Sequence, residues 1–278
     1  MADESTIVQG AVDVWANWWP AEFFASMPEM AALYQRLGLQ RRMSCDVDTL
    51  LEEARAAGLS RVLLSATAYE RTPADHAAVA RAVARAPDLL AGCASVDPRE
   101  GMAAVRALRH AVEVHGFRAL KLLPYLYGAP PDDRIYYPLY AACVDLAIPV
   151  LLLTGHTAVL QPSEPGRPSH LDAVALHFPE LVIVAGHAGY PWTAELVSLA
   201  WKHPNVFIDT SGHRPKYMPK EIVHFMNSYG RGKVLFGTGW PLMDPAGALA
   251  EAADMPLKDH SRAAWLSGAA NEIFGWGP

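Results

Sequence analysis

Basic residues, cysteines and long apolar runs are scarce in this chain, and each scarcity excludes something. Its 23 Lys and Arg are outnumbered by 29 Asp and Glu, for a formal charge of −6. A nucleic-acid binder would show the opposite balance, since its footprint is a basic surface. The three cysteines, Cys45, Cys93 and Cys143, are far apart and form no Cys-x-x-Cys pair. That usage suits reduced thiols rather than a disulfide framework. No apolar stretch, Ile148 to Leu153 included, approaches the roughly 20 residues needed to cross a bilayer. The opening Met1-Ala2-Asp3-Glu4-Ser5 is acidic and polar, unlike a secretory signal. A cytoplasmic protein is the expectation. Also missing are a Gly-x-Ser-x-Gly elbow and a cysteine with histidine at nucleophile spacing.

What is present is apolar and regular. Of 278 residues, 51% are hydrophobic and 19% charged, the latter below the usual level of about 25%. Eight short β-rich runs recur: Gly10 to Val14, Arg61 to Ser65, Leu89 to Val96, Ala119 to Leu123, Pro149 to Leu153, Leu181 to Ala185, Val206 to Asp209 and Val234 to Phe236. Helical stretches lie between them. Asp46 to Gly58 begins with a capping acid and ends on glycine, and Pro73 to Ala86 is stopped by Pro87. Gly101 to Val114, His170 to Phe178, Ala194 to His203 and Pro219 to Tyr229 continue the pattern. Strands that alternate with helices pair in parallel, because each return needs a crossover. An open doubly wound sheet would carry a Gly-rich loop after its first strand, where this chain has Val14-Trp15-Ala16-Asn17-Trp18. The expectation is an α/β fold, a (β/α)8 TIM barrel spanning residues 1–278 as one domain.

A barrel of this type places its active site at the carboxyl ends of its strands. Those ends read Asp13-Val-Trp15-Ala-Asn17, Lys121-Leu-Leu123-Pro124-Tyr125, Leu153-Thr154-Gly155-His156, Gly186-His187-Ala188-Gly189, Asp209-Thr210-Ser211 and Gly237-Thr238-Gly239-Trp240-Pro241. At these stretches the chain resembles the amidohydrolase superfamily, in its aminocarboxymuconate-semialdehyde decarboxylase-like branch. Further matching segments are Gly116 to Pro124, Pro149 to Thr157, Gly186 to Trp192, Trp201 to Thr210, Lys233 to Thr238 and Asn271 to Phe274. The resemblance implies one divalent metal, typically zinc. Its ligands would be an Asp-x-His-x-His pair after strand one, histidines after strands five and six, and an Asp after strand eight. Here those positions hold Trp15, Asn17, Leu153, His187 and Gly239. Trp, Leu and Gly offer a cation no usable lone pair, and Asn is a weak ligand. Neither a metal nor any other cofactor is therefore expected.

Three residues are assigned to catalysis: His187 and Asp13 as acid–base groups, and Asn17 to orient an oxygen. Without a metal, His187 would work as general acid or base near neutral pH. Asp13 shares strand parity with Trp15 and Asn17, which places it deeper inside the barrel. It would there either pair with Lys121 or carry a proton; either residue can also be satisfied by backbone hydrogen bonds. Trp15, Trp18, Lys121, Tyr125, His156, Tyr190, His213 and Trp240 are expected to bind substrate. His156, His187 and His213 are also the residues from which a relocated metal site would be built. Arg214 and Lys216 would hold a carboxylate or stay solvated. The expected function is hydrolysis, decarboxylation or elimination on a small hydrophobic, aromatic or unsaturated molecule. The alternative is a non-catalytic relative that binds a small molecule or partner chain, and a homodimer is compatible with the resemblance.

Overall fold

A computed structural model describes residues 10–68 and 74–277. The opening pentapeptide and Pro73 lie outside the described residues. Eight strands run in chain order in one parallel sheet. They are β1 (Ala11–Asn17), β2 (Leu59–Ser65), β3 (Leu90–Ser95), β4 (Ala119–Leu122), β5 (Val150–Leu153), β6 (Ile183–Gly186), β7 (Val206–Asp209) and β8 (Val234–Leu235). The ends meet: Val14 N–H donates to Phe236 O at 3.0 Å, Gly239 N–H to Trp15 O at 2.8 Å, and Asn17 N–H to Trp240 O at 2.7 Å. This closure carries β1 three residues beyond the expected Val14. The fold is a (β/α)8 barrel, as the alternation predicts.

Two apolar clusters follow from the strand period of two. Leu120, Leu122, Val150, Leu152, Ile183, Ala185 and Ile208 face outward against the helices. Leu63, Cys93, Ala119, Leu151, Val184 and Leu235 face inward and fill the barrel. β1 breaks the rule. Its pairing with β2 slips between Asp13 and Ala16, so Val12, Val14 and Trp15 all join the inner cluster while Ala11 and Ala16 join the outer one. Asp13 is thereby released from simple parity with Trp15 and Asn17.

The expected helices are present with trimmed ends, such as α-helices His76–Arg85 and Met102–Glu113. Asp46 caps the helix Val47–Ala56 by accepting from Thr49 N–H at 2.9 Å. Two helices were not expected between β1 and that helix: α1 (Ala21–Ser26) and α2 (Pro28–Arg36). Pro28 opens α2 at its first turn, where a missing N–H costs nothing. Met30, Leu33 and Tyr34, at helical spacing, are buried. This pair of helices covers the carboxyl-end mouth of the barrel.

Candidate active site

A cavity of ≈ 120 Å³ opens at that mouth. Its aromatic wall is Trp15, Trp19, Tyr34 and Tyr125; Met30, Leu33, Leu123, Leu153, Val159 and Leu242 supply apolar surface; Asn17, His156, His187 and His213 supply the polar groups. Of the residues expected at the site, Trp15, Asn17, Tyr125, His156, His187 and His213 line this one cavity. Sequence reasoning missed the α2 residues Met30, Leu33 and Tyr34. The signal that would have found them is Pro28 followed by an apolar stripe at spacings of three and four.

Other expected substrate contacts lie elsewhere. Trp240 is 1% exposed, packed in the outer core with its indole N–H on Glu53 at 2.9 Å. Trp18 packs against the same outer cluster, with its backbone N–H on Ser65 O. Tyr190 stands 46% exposed, its ring 5.4 Å from His156 and 5.6 Å from His213. It guards the rim rather than lining the cavity. Lys121 is buried among the inward-facing residues. Arg214 and Lys216 both pair with Glu251 and are absent from the lining of this cavity.

Of the two structural readings of Asp13, the ion pair with Lys121 is not formed and hydrogen bonding to the backbone is. Asp13 accepts from Trp15 N–H and Thr238 N–H, each at 3.0 Å, and from the Thr238 hydroxyl. Burial raises its pKa to about 6. Lys121 instead donates to Asn17 Oδ1 at 2.7 Å and lies 5.7 Å from the Trp15 ring centre. Burial lowers its pKa to about 8. Asn17 completes its hydrogen bonding with Nδ2 donating to Trp240 O at 2.9 Å and Gly239 O at 3.3 Å. Its amide is thus committed to the barrel's closure, which corrects its expected role of orienting a substrate oxygen.

His187 is built into the turn after β6. Its φ of 61° and that of Ala188, 54°, are both left-handed, at a cost of about 1–2 kcal/mol each. The imidazole lines the cavity. Trp15 packs against the ring at 5.0 Å, and glycine at 186 permits it: a Cβ there would lie 2.7 Å from Trp15 Cζ3. His187 Nδ1 lies 2.9 Å from Ser211 Oγ, and the Ser211 hydroxyl donates to Asp209. Burial, with His213, Lys121 and His156 nearby, pushes the His187 pKa down from 6.5 to about 3. The imidazole of the free protein is therefore neutral at neutral pH. Burial and then the neighbouring Asp13 raise Asp209 to about 7.

The side chains do not fit the metal that the resemblance implies. At the five positions only His187 offers a good ligand, and Asn17 Oδ1 already receives the Lys121 ammonium, a charge that opposes a cation. Among the described residues no group of three or more His, Cys, Asp or Glu is placed to hold a metal ion. His156, His187 and His213 share the cavity, but the Tyr190 ring makes contact with both His156 and His213.

Solved structures with this fold include an uncharacterized TIM-barrel protein from Bordetella bronchiseptica, 24% identical with a TM-score of 0.78 over 96% of this chain and 98% of that one. A 5-carboxyvanillate decarboxylase from Sphingomonas paucimobilis is 17% identical, TM-score 0.76, over 96% and 99%. A dihydroxybenzoic acid decarboxylase from Polaromonas sp. JS666, with bound manganese and the inhibitor 2-nitroresorcinol, is 17% identical, TM-score 0.73, over 96% and 97%. None of the curated proteins compared matches the chain. The amidohydrolase family model matches residues 12–276. With its barrel closed and its strand-end residues gathered at one mouth, the chain belongs to the amidohydrolase family.

Proposed function

We propose that this chain is a lyase that decarboxylates a small aromatic acid, and that it uses its own side chains rather than a catalytic metal. The observation that carries the reading is the cavity: an aromatic, apolar chamber with one tightly held imidazole at its base. Its size is of the order of the apolar cavity of about 150 Å³ that holds benzene in another protein. The names of the two decarboxylases similar in fold describe aromatic acids as their substrates. Their low identity supports this choice of reaction only by analogy.

The chemistry suits the chamber. A carboxylate moved from water into apolar surroundings rises in free energy, and departure as neutral CO2 relieves that penalty. The buried Lys121 ammonium, which has no ion-pair partner among the described residues, favours an anion overhead. An anion beside His187 raises the proton affinity that burial has lowered, so the substrate enters together with a proton on the imidazole. The carbon–carboxylate bond then breaks, its electron pair stays on the ring carbon, and the proton passes from His187 to that carbon. One proton enters, one CO2 leaves, and His187 returns to its neutral form.

The test is a panel of hydroxybenzoic and related aromatic acids, assayed for CO2 release with and without chelator. The reading requires turnover that survives the chelator and falls about tenfold or more in His187→Asn. Activity that appears only with added manganese would remove the metal-free part; no turnover of any acid would remove the reaction. A second reading, a ligand-binding relative, draws on two buried polar atoms of the cavity wall without hydrogen-bond partners, Tyr34 Oη and His213 Nδ1. Native mass spectrometry that finds a bound small molecule left unchanged by the protein would favour it.

A further inference from the structure

We infer that Asp209 and Ser211 are positioning residues that decide which nitrogen of His187 meets the substrate. They hold the imidazole in the form protonated at Nδ1 and leave Nε2 bare toward the cavity. The inference rests on His187 as the working residue, but the tautomer is a property of the free protein.

The argument is a count of protons. An ionised carboxylate only accepts hydrogen bonds. Asp209 Oδ1 accepts from Ser211 N–H at 3.1 Å, and Oδ2 accepts from the Ser211 hydroxyl. A serine has one hydroxyl proton, and it is now committed. Toward His187 Nδ1, 2.9 Å away, Ser211 Oγ can therefore only accept. Nδ1 must carry the proton, and Nε2 is left with its lone pair. The one side-chain hydrogen bond of the ring is at Nδ1, the Ser211 backbone also lies within hydrogen-bonding reach of the ring, and Nε2 is not among the closed-off polar atoms that lack a partner.

The ring has little freedom to escape this assignment. Trp15 packs on it at 5.0 Å. Gly212 lies against it elsewhere: a Cβ at that position would sit 3.0 Å from the His187 Cγ and 3.1 Å from Nδ1. The left-handed backbone at His187 and Ala188 fixes where the side chain starts. In the proposed reaction Nε2 alone gains and loses the mobile proton. Nδ1 keeps its own, and the Ser211–Asp209 pair stabilises the imidazolium while it exists, as the carboxylate of a hydrolase triad does.

Replacing Asp209 by Asn should reverse the chain. Ser211 N–H continues to require an acceptor, so the amide oxygen takes the Oδ1 place and the NH2 faces Ser211 Oγ. Ser211 must then accept from Asn and donate to Nδ1, which moves the imidazole proton to Nε2. Asp13 on β1 faces Asp209, while Lys121 on β4, His156 and His213 face His187. The comparison therefore belongs at about pH 8.5, above the value near 7 for Asp209 and well above the range in which histidines charge.

The experiment is two-bond 1H–15N NMR of the histidine-labelled whole chain without substrate, for wild type, Asp209→Asn and Ser211→Ala. The expected spectrum has wild-type His187 protonated at Nδ1, Asp209→Asn protonated at Nε2, and Ser211→Ala no longer locked at Nδ1. Wild-type protein protonated at Nε2 would overturn the inference, as would both variants keeping the wild-type tautomer. Should Asp209→Asn fail to fold, Ser211→Ala carries the test alone. On any acid turned over, both variants should lower kcat about a hundredfold with KM little changed. The expected tautomers with no turnover of any acid would leave the positioning inference standing and remove the proposed reaction.

Discussion

Asp13 on β1 and Thr238 beyond β8 lock the first strand of the barrel to the last. One carboxylate accepts both the Thr238 N–H, at 3.0 Å, and its hydroxyl, while Thr238 Oγ1 accepts from Trp240 N–H at 2.9 Å. The arrangement extends closure beyond the two residues of β8, and it occupies an acid that sequence reading assigned to proton transfer.

Asp13→Ala should accordingly behave as a stability variant. It leaves buried N–H groups of Trp15 and Thr238 without acceptors, at about 1–3 kcal/mol each. Urea denaturation should show a loss on the order of 3 kcal/mol, and ligand affinity per folded molecule should change little. A fully stable variant would refute the locking role.

Asp209 provides a pH signature. Its pKa is about 7 folded against 3.8 unfolded, so the folded state binds the extra proton between those values. Stability from this group is therefore lost as pH rises from about 4 to about 7. Asp209→Asn removes that loss. Its stability relative to wild type should climb through this window and level off above it, by chemical denaturation at successive pH values. A difference independent of pH would contradict the raised pKa.

Lys121 has the opposite sign. Burial lowers it from 10.5 to about 8, so the unfolded chain holds the proton more tightly between those values. Wild-type stability should rise as pH climbs from about 8 to about 10.5, relative to Lys121→Met, by on the order of 3 kcal/mol. A flat difference would show that the ammonium is better solvated than its burial implies.

Gly186→Ala tests the seat of Trp15. The added methyl would meet Trp15 Cζ3 at 2.7 Å and Cη2 at 2.9 Å, so the indole that packs on His187 must move. A destabilisation of about 1–3 kcal/mol is expected from overpacking, together with loss of ligand binding by calorimetry. Retained binding would mean that the indole is not a wall of the site.

Tyr34→Phe tests the unpartnered hydroxyl above the cavity. Deleting a buried hydroxyl without a partner should raise the melting temperature of the free protein, by about 1 kcal/mol in stability. If a ligand satisfies that hydroxyl, the same variant should bind it more weakly. A less stable free variant would show that the hydroxyl already has a partner.

The alternation of β-rich runs with Ala-rich helices was enough to predict the barrel, because parallel strands need crossovers and burial imposes the period. The strand ends likewise pointed to His187, His156, His213, Trp15 and Tyr125 at one mouth. Parity failed on β1. The slip in pairing lies between Asp13 and Ala16, where Val14 N–H bonds instead to Phe236 O, a contact more than 200 residues away in the chain. Trp240 failed for a related reason: its indole N–H found Glu53 on the helix Val47–Ala56, and no local pattern records that meeting.

Composition, periodicity and the order of strand-end residues thus determined the fold and the pool of candidate side chains at the barrel mouth, since both follow from short-range geometry and burial. Only the tertiary structure decided how those side chains are spent. It gave Asn17 to Lys121 and the β8 carbonyls, gave Asp13 to Thr238, and tied His187 through Ser211 to Asp209. Hydrogen bonds form between atoms about 3 Å apart, and which atoms reach that distance is settled only when the barrel closes.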